Sequence, residues 1–271
     1  MLINQLNNKF YTILLLDSGI GGFSILDNIK KYLPKIRYIY MLDNQAFPYG
    51  NKTELFLIQR SIKIVKKINQ KYTIHLILIA CNTLSTVALS TLKKTINIPI
   101  IGIFPNIPLA ATITNNYIIG LIATSATINN INTKKIISKY SQICNIHIIS
   151  TNKLANISEQ KIRGEYISIT QIKKIFQPWM ILPVKPDTIV LGCTHFSFLK
   201  KEIKIIFNKN TIFIDSNNCF IHQINHIFKL KNYNNIIKNN IFLYSKKNEK
   251  LKKLFFYLKK YNFNMIKKIS F

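Results

Sequence analysis

The stretch IHLILIACNTLSTVALSTL at residues 74–92 contains an apolar run that stops at Cys81, and a segment with a different periodicity follows it. The apolar positions of the second segment recur at helical spacing: Leu84, Val87, Ala88 and Leu92. A short continuous apolar run is typical of a strand that is covered on both faces. The stretch therefore predicts a buried strand that ends beside Cys81, followed directly by a helix.

The same plan recurs along the chain. Four further apolar runs stop at small or polar residues: ILLLDSGIGG at 13–22, YIIGLIATSAT at 117–127, TIVLGCTHF at 188–196 and TIFIDS at 211–216. After the first of them, apolar residues again follow helical spacing: Phe23, Leu26, Ile29 and Leu33. Alternation of such strands with helices predicts an α/β fold with mostly parallel sheets flanked by helices.

The chain also resembles itself. ILIACNTLS around Cys81 and IVLGCTHFS around Cys193 share a strand, a small residue, a cysteine and a threonine. We therefore expect two pseudosymmetric α/β domains, the first formed by residues 1–104 and 217–271 and the second by residues 105–216. Ligands of open α/β sheets bind at strand ends, which places the expected site in the cleft between the two domains.

The net charge of +28 on 271 residues is typical of a protein that binds a polyanion. Lysine is however scattered along the whole chain together with Ile and Asn, whose codons are also rich in A and T, so a biased base composition explains the charge. A basic nucleic-acid or membrane-binding protein stays open as an alternative, with residues 245–268 as its surface. In the simpler interpretation, four apolar residues of that segment pack one helix face on the first domain: Leu251, Leu254, Phe255 and Leu258.

No apolar run reaches the roughly 18 to 20 residues of a membrane span, which favours a cytosolic protein. Four cysteines lie far apart without zinc-ligand spacing: Cys81, Cys144, Cys193 and Cys219. We therefore expect neither a metal site nor a disulfide framework.

Cys81 and Cys193 are the strongest candidates for chemistry. A thiol where a helix begins is deprotonated more readily than usual, and Asn82 and Thr83 are suited to cap that helix. One such cysteine alone is better explained as a small buried side chain. The second occurrence, followed by Thr194 and His195, indicates a shared function.

Other polar residues end the predicted strands. Asp17 can orient a thiol or an ammonium group, while Ser18 and the glycines after it suit an anion. The glycine spacing differs from a dinucleotide fingerprint, so no nucleotide is predicted. Thr124 and Thr127 are either turn hydroxyls or donors to a carboxylate. A lone histidine is usually part of the core, but two residues after Cys193 we interpret His195 as a partner that polarises the thiol or holds a substrate carboxylate. A thiol hydrolase with a Cys-His pair is an alternative that leaves the second cysteine unused.

In this order, the segments resemble the glutamate racemase family over most of the chain. LDSGIGGFSIL at 16–26 and LDNQAFPYGNKTE at 42–54 resemble its Asp-Ser-Gly and Pro-Tyr-Gly motifs, and IACNTLS and LGCTHFSFL resemble its two cysteine signatures. Residues 162–196 are similar to the enteric-bacterial type.

The resemblance implies that Cys81 and Cys193 alternate as acid and base, Cys193 on the L face of glutamate and Cys81 on the D face, without metal, nucleotide or pyridoxal phosphate. It implies roles for Asp17 and His195 as their partners. It also implies a set of substrate contacts: Asp17, Ser18, Tyr49, Gly50, Asn82, Thr83, Thr124, Thr127, Thr194 and His195. The resemblance also implies that the protein supplies D-glutamate for peptidoglycan and, as in some enteric-type members, that a muropeptide precursor activates it. Whether the chain forms a homodimer is left open by the sequence.

Three positions depart from the family pattern: Asn156 where an acidic residue is expected, Ala126 for a glycine in the Thr124 loop, and Ser197 for the proline that usually follows the aromatic residue of the second signature. Because Asn156 stands where the family has an acidic residue that assists the histidine, we expect the carboxylate beside His195 to be missing. The nearest alternative activity is an aspartate racemase, against which His195 speaks because such members tend to carry Glu there.

Overall fold

The computed structural model describes residues 11–216, 220–228 and 239–271. In these ranges the chain forms two separate sheets in which every strand pair is parallel. The predicted α/β class is confirmed. The expected domain boundary at residue 217 and the cysteine at 219 lie outside the described residues.

The first sheet has six strands in the order β10-β9-β2-β1-β3-β4. Their bounds are β1 Thr12–Asp17, β2 Arg37–Leu42, β3 Leu76–Ile79, β4 Ile100–Gly102, β9 Asn240–Tyr244 and β10 Phe263–Lys268. The helices that connect or follow these strands are α1 Gly22–Tyr32, α2 Glu54–Asn69, α3 Asn82–Thr95 and α11 Phe255–Lys260. Two 3-10 helices accompany them, Tyr49–Asn51 and Glu249–Leu254.

The second sheet has four strands in the order β6-β5-β7-β8. Their bounds are β5 Ile118–Ala123, β6 Asn145–Ser150, β7 Thr188–Gly192 and β8 Ile212–Asp215. Its helices are α4 Ile107–Ile113, α5 Ser125–Asn129, α6 Ile131–Tyr140, α7 Lys153–Ile162, α8 Ile169–Met180 and α9 Lys200–Ile206, with a 3-10 helix at Thr194–Leu199. Helix α10 Ile221–Phe228 follows β8 and packs through Ile224 in the core of the first sheet.

The central strands of each sheet are covered on both faces, which is why they are continuous apolar runs, whereas the edge strands β6 and β10 are mostly exposed or half-buried. All of β1 and β3 is buried, and the central β7 is buried throughout. The predicted apolar positions of α1 and α3 are buried as expected: Phe23, Leu26, Ile29, Leu33, Leu84, Val87, Ala88 and Leu92.

Two local expectations are wrong. Helix α3 already begins at Asn82, so Cys81 is its N-cap residue and no side chain caps it. Near the C-terminal end of the chain, Leu254 and Leu258 are buried but Phe255 is 63% exposed. The 3-10 helix before α11 has three residues per turn, which directs residues 251, 254 and 258 inward and turns Phe255 toward solvent.

No helix in the described ranges is long and apolar enough to cross a membrane.

Candidate active site

The polar loops of both sheets follow the carboxyl ends of central strands. Asp17 ends β1, Cys81 follows β3 after Ala80, Thr124 follows β5 and Cys193 follows β7. Since β1 pairs with β3, and β5 pairs with β7, each sheet presents two such loops at one edge. The two edges face each other, as the contacts described below show.

His195 lies beside Cys193 on the 3-10 helix that follows β7. Its Nδ1 is 3.9 Å from Sγ of Cys193, and its Nε2 is 3.1 Å from Oε1 of Glu159 on α7. An ionised carboxylate only accepts hydrogen bonds, so we assign the Nε2 proton to the bond with Glu159. His195 thereby connects a carboxylate to a thiol.

His195 and Glu159 each stabilise the charged form of the other. Burial disfavours the imidazolium, but the hydrogen bonds to Cys193 and Glu159 outweigh burial and hold the pKa of His195 well above its ordinary value. Burial also opposes ionisation of Glu159, yet His195 and Arg163 lower the pKa of that carboxyl. The stable form is therefore a buried carboxylate with an imidazolium.

The glycine loop after β1 packs directly on this pair. The amide of Ile20 donates to Glu159 Oε1 at 2.8 Å, and the amide nitrogen of Gly21 lies 3.3 Å from Nε2 of His195. A Cβ at Gly19 would lie 2.3 Å from Glu159 Oε1, and one at Gly21 would lie 2.5 Å from His195 Nδ1. Glycine at these positions therefore allows the two sheets' loops to touch.

Asp17 and Cys81 form the opposing group. The Asp17 carboxylate accepts from the amides of Ser18 at 2.6 Å and Gly22 at 2.7 Å, yet burial raises its pKa to about 6. Burial, and after it the Asp17 charge, raises the pKa of the Cys81 thiol well above its ordinary value. Cys193 adds to this rise, so a charge on one thiol disfavours a charge on the other. Cys81 is thus a thiol when Cys193 is charged.

Three hydroxyls meet between the two sheets. Thr83 Oγ1 is 2.8 Å from Thr124 Oγ1 and 3.4 Å from Thr127 Oγ1, and the last two are 2.9 Å apart. All three residues are buried. A cluster of adjustable donors beside Cys81 suits a ligand carboxylate.

The Pro-Tyr-Gly loop is held by a buried carboxylate. The hydroxyl of Tyr49 donates to Asp43 Oδ2 at 2.9 Å, and Arg60 donates to both oxygens of Asp43, at 2.7 and 2.9 Å. A Cβ at Gly50 would lie 2.4 Å from Oδ1 of Asn152, which follows β6. The loop therefore also reaches the second sheet.

The remaining predicted site residues lie at the same place. Ser18 and Thr194 are buried beside Asp17 and His195. The side-chain amide of Asn82 donates to Ser216 Oγ at 2.9 Å, and its Oδ1 is buried without a hydrogen-bond partner in the described part of the chain. The structure thus gathers every predicted site residue around one interface between the sheets.

The expected absence of a carboxylate near His195 is wrong. Glu159 supplies it, three residues after Asn156, so the acidic position of the family pattern matches Ile157-Ser158-Glu159 and not Leu154-Ala155-Asn156. Asn156 lines two cavities, one of which is also lined by Glu159 and Arg163. A signal existed in the sequence, because Glu159 and Arg163 are spaced as an ion pair on one helix face.

Asp43 and Asn152 were also missed. Asp43 stands directly after β2 in the sequence LDNQ, and a carboxylate at a strand end was the available signal. Asn152 has no comparable signal, since its place beside Gly50 depends on how the two sheets face each other.

A cavity of about 340 Å³ adjoins the Glu159 side of the site. Ser18, Gly19, Phe47, Glu159 and Arg163 line it, together with residues of the 3-10 helix at 249–254. In the described ranges, no group of three or more His, Cys, Asp or Glu side chains is arranged to hold a metal ion.

Comparison with known proteins agrees with this geometry. The family model described as Asp/Glu/Hydantoin racemase matches residues 24–224. A glutamate racemase of Buchnera aphidicola subsp. Acyrthosiphon pisum (strain APS) is 60% identical over 260 residues, which are 95% of this chain and 99% of the relative. The chain belongs to the glutamate racemases of the Asp/Glu/hydantoin racemase family.

Other glutamate racemases are similar at lower identity. That of Pectobacterium atrosepticum is 42% identical over 76% of this chain and 72% of its own length. The crystal structure of Escherichia coli glutamate racemase in complex with L-glutamate and the activator UDP-MurNAc-Ala has a TM-score of 0.90 at 33% identity, covering 97% of this chain and 99% of that one. As a glutamate racemase, the chain is an isomerase that acts on an amino acid, which leaves the basic binding protein unsupported.

Proposed function

We propose that the chain interconverts L- and D-glutamate by a cofactor-independent mechanism in which Cys81 and Cys193 act on opposite faces of the α-carbon. The observation that carries the proposal is the pair of buried thiols, each at a strand end of a different sheet and each beside its own ionisable partner. Inversion needs one group to remove the α-proton and another to deliver a proton to the opposite face.

The two partners give the thiols different starting charges. His195, protonated and with Nδ1 3.9 Å from Cys193 Sγ, can donate a hydrogen bond to a thiolate there, while burial and Asp17 raise the pKa of Cys81 and favour its thiol form. In this state Cys193 takes the α-proton from L-glutamate and Cys81 delivers its own proton to the other face. The opposite protonation state converts D-glutamate, and each turnover exchanges the two states.

The surrounding donors fit the carboxylates of glutamate. The glycine loop at the start of α1 presents backbone amides, and the Thr83, Thr124 and Thr127 hydroxyls form a second cluster. Such prearranged donors stabilise the charge that develops when the α-proton leaves. The site lies between the two sheets, and we propose residues 1–104 with 217–271 and residues 105–216 as the two domains that enclose it.

The decisive experiment is incubation with L-glutamate in deuterium oxide without added cofactor, following optical rotation and deuterium at the α-carbon. Cys81→Ser and Cys193→Ser are each expected to lose racemisation by at least about 100-fold, because proton transfer by a positioned group contributes at least that much. Cys144→Ser is the matched control, since Cys144 is also a buried free thiol but packs in a separate apolar cluster. No α-exchange in the unmodified chain, or full activity in either active-site variant, contradicts the proposal. Aspartate in the same assay tests the alternative substrate.

The physiological proposal is a supply of D-glutamate for peptidoglycan in the cytosol. The E. coli glutamate racemase crystallised in complex with the activator UDP-MurNAc-Ala, which supports a muropeptide precursor as an activator of this chain. Initial rates with and without UDP-MurNAc-Ala test this point, and equal rates contradict it.

A further inference from the structure

Arg163, directly after α7, contacts the active site through one carboxylate. Its guanidinium forms an ion pair with Oε2 of Glu159, one helical turn earlier. Both side chains are nearly excluded from solvent, at 12% and 4% exposure. Arg163 lies in the stretch 162–196 that resembles the enteric-bacterial type, but that resemblance assigns it no role.

The two oxygens of Glu159 have separate tasks. Oε1 accepts from Ile20 and contacts His195, whereas Oε2 contacts Arg163. The Arg163 contact therefore fixes the carboxylate plane that aims Oε1 at the imidazole. Because arginine stays protonated at all working pH values, this contact persists whether or not His195 is charged.

The charge balance of the buried site depends on the same contact. The charged and titratable groups that face Glu159 come from several elements: Asp17 after β1, Tyr40 on β2, Cys193 and His195 after β7, Arg163 and Glu165 after α7, and Lys250 beyond β9. An imidazolium and a guanidinium are the positive charges beside the carboxylates of Glu159 and Asp17, and the thiolate of the proposed mechanism adds a further negative charge at Cys193. Without Arg163 the negative charge of this buried cluster is less well compensated.

We propose that Arg163 is a positioning residue of the reaction, which holds Glu159 against His195 and balances the charge of the Cys193 side. This inference rests on the proposed two-thiol function. Arg163 does not touch the reacting atoms, so its effect passes through Glu159 and His195.

The test compares Arg163→Met, Arg163→Lys and a matched control, Lys161→Met. Lys161 lies on α7, two residues before Arg163, and forms an ion pair with Glu202 at 2.6 Å. Its amine also donates to the carbonyl of Phe198 at 2.8 Å, so this control keeps the same part of the fold under test without altering the partners of Glu159. For each variant, kcat, KM, the pH dependence of kcat/KM and the melting temperature are measured with glutamate.

For Arg163→Met we expect kcat to fall about 10- to 100-fold, as when a partner carboxylate of a functional histidine is disturbed. The acid limb of kcat/KM is expected to move to higher pH by about one unit. Loss of the positive charge of Arg163 favours the protonated forms of the groups that must be ionised for activity, Glu159 first among them. Arg163→Lys restores most of the rate and the pH profile, and Lys161→Met keeps both.

An unshifted acid limb in Arg163→Met overturns the inference, even if the rate falls. So does an equal loss of rate in Lys161→Met, which assigns the effect to the stability of α7. If Arg163→Met does not fold, Arg163→Gln replaces it, and an unshifted acid limb in that variant overturns the inference as well. Failure of the proposed function is seen separately, as absence of α-deuterium exchange in the unmodified chain.

Discussion

Asp17 combines a catalytic position with a cost to the folded state. Its carboxylate is fully buried beside Cys81, and two backbone amides do not compensate for the lost water. The pKa of about 6, compared with 3.8 for an ordinary aspartate, means that the folded chain binds a proton more tightly than the unfolded chain. A group near neutrality suits exchange of a proton with a thiol, and its ionised form destabilises the fold.

We therefore predict that the contribution of Asp17 to the unfolding free energy of the unmodified chain falls as pH rises from about 4 to about 6. In Asp17→Asn this contribution is absent, so the unfolding free energy of the variant relative to the unmodified chain increases with pH, by on the order of 3 kcal/mol between pH 4 and 7. Urea unfolding at a series of pH values measures the difference.

Asp187→Asn is the control of opposite sign. Burial opposes ionisation of Asp187, but hydrogen bonds from Thr114 and the amides of Asn115 and Asn116 lower its pKa. The stability that Asp187 contributes is present at neutral pH and is lost on acidification. A parallel pH trend in both variants would contradict the assignment to Asp17.

At the scale of elements, the sequence predicted most of what local pattern determines. The strands at Cys81 and Cys193 and the helices α1 and α3 follow from apolar periodicity, which needs no knowledge of the second sheet. The predictions that were wrong or missing concern the exact position of a motif along a helix, or contacts between residues far apart in the chain. The motif around Glu159 was placed about one helical turn too early, at Asn156, because Leu154-Ala155 matches the two apolar residues of the family pattern better than Ile157-Ser158 does. Asn152 acquires its role only through Gly50, about 100 residues away in the chain.

One connection between elements carries backbone strain. Tyr117, between α4 and β5, has a φ of 58°, in the left-handed region that disfavours residues with a Cβ. Its side chain is 62% exposed, so little packing compensates. We predict that Tyr117→Gly raises the free energy of unfolding by about 1 kcal/mol.

Asn262 provides the comparison, with a φ of 56°. Asparagine tolerates this conformation better than tyrosine, so Asn262→Gly is expected to gain less. Urea unfolding of the two variants measures both effects, and a larger gain at Asn262 than at Tyr117 would refute the strain argument.

At the scale of the molecule, polar contacts between the two sheets' loops surround the site. Beyond the Thr83 cluster and the Glu159 contacts, Asn152 donates to Oδ1 of Asn51 at 2.5 Å, and Asn130 donates to Glu54 at 3.3 Å. These contacts lie away from the thiols and join the Pro-Tyr-Gly region to the second sheet. They favour the closed arrangement, in which water is excluded from the reaction.

We predict that Asn152→Ala raises KM about fivefold with a smaller change in kcat, because one hydrogen bond contributes about 1 kcal/mol to closure. Asn264→Ala is the matched control, since Asn264 also donates to an asparagine, Asn239, at 3.1 Å but within the first sheet's region. Steady-state kinetics with glutamate check the prediction. A KM that is unchanged in Asn152→Ala, or raised equally in the control, would count against it.

The order of the six-stranded sheet has a consequence for synthesis on the ribosome. Strand β9 pairs with β2, yet the whole four-stranded sheet is translated between them. While that sheet emerges, the backbone groups of β2 that β9 later satisfies stay open, along residues as apolar as Ile39 and Met41. An open apolar edge recruits other strands. The nascent chain therefore passes through an interval in which the open edge of β2 is prone to aggregation. This interval ends when β9 leaves the ribosome and pairs with β2.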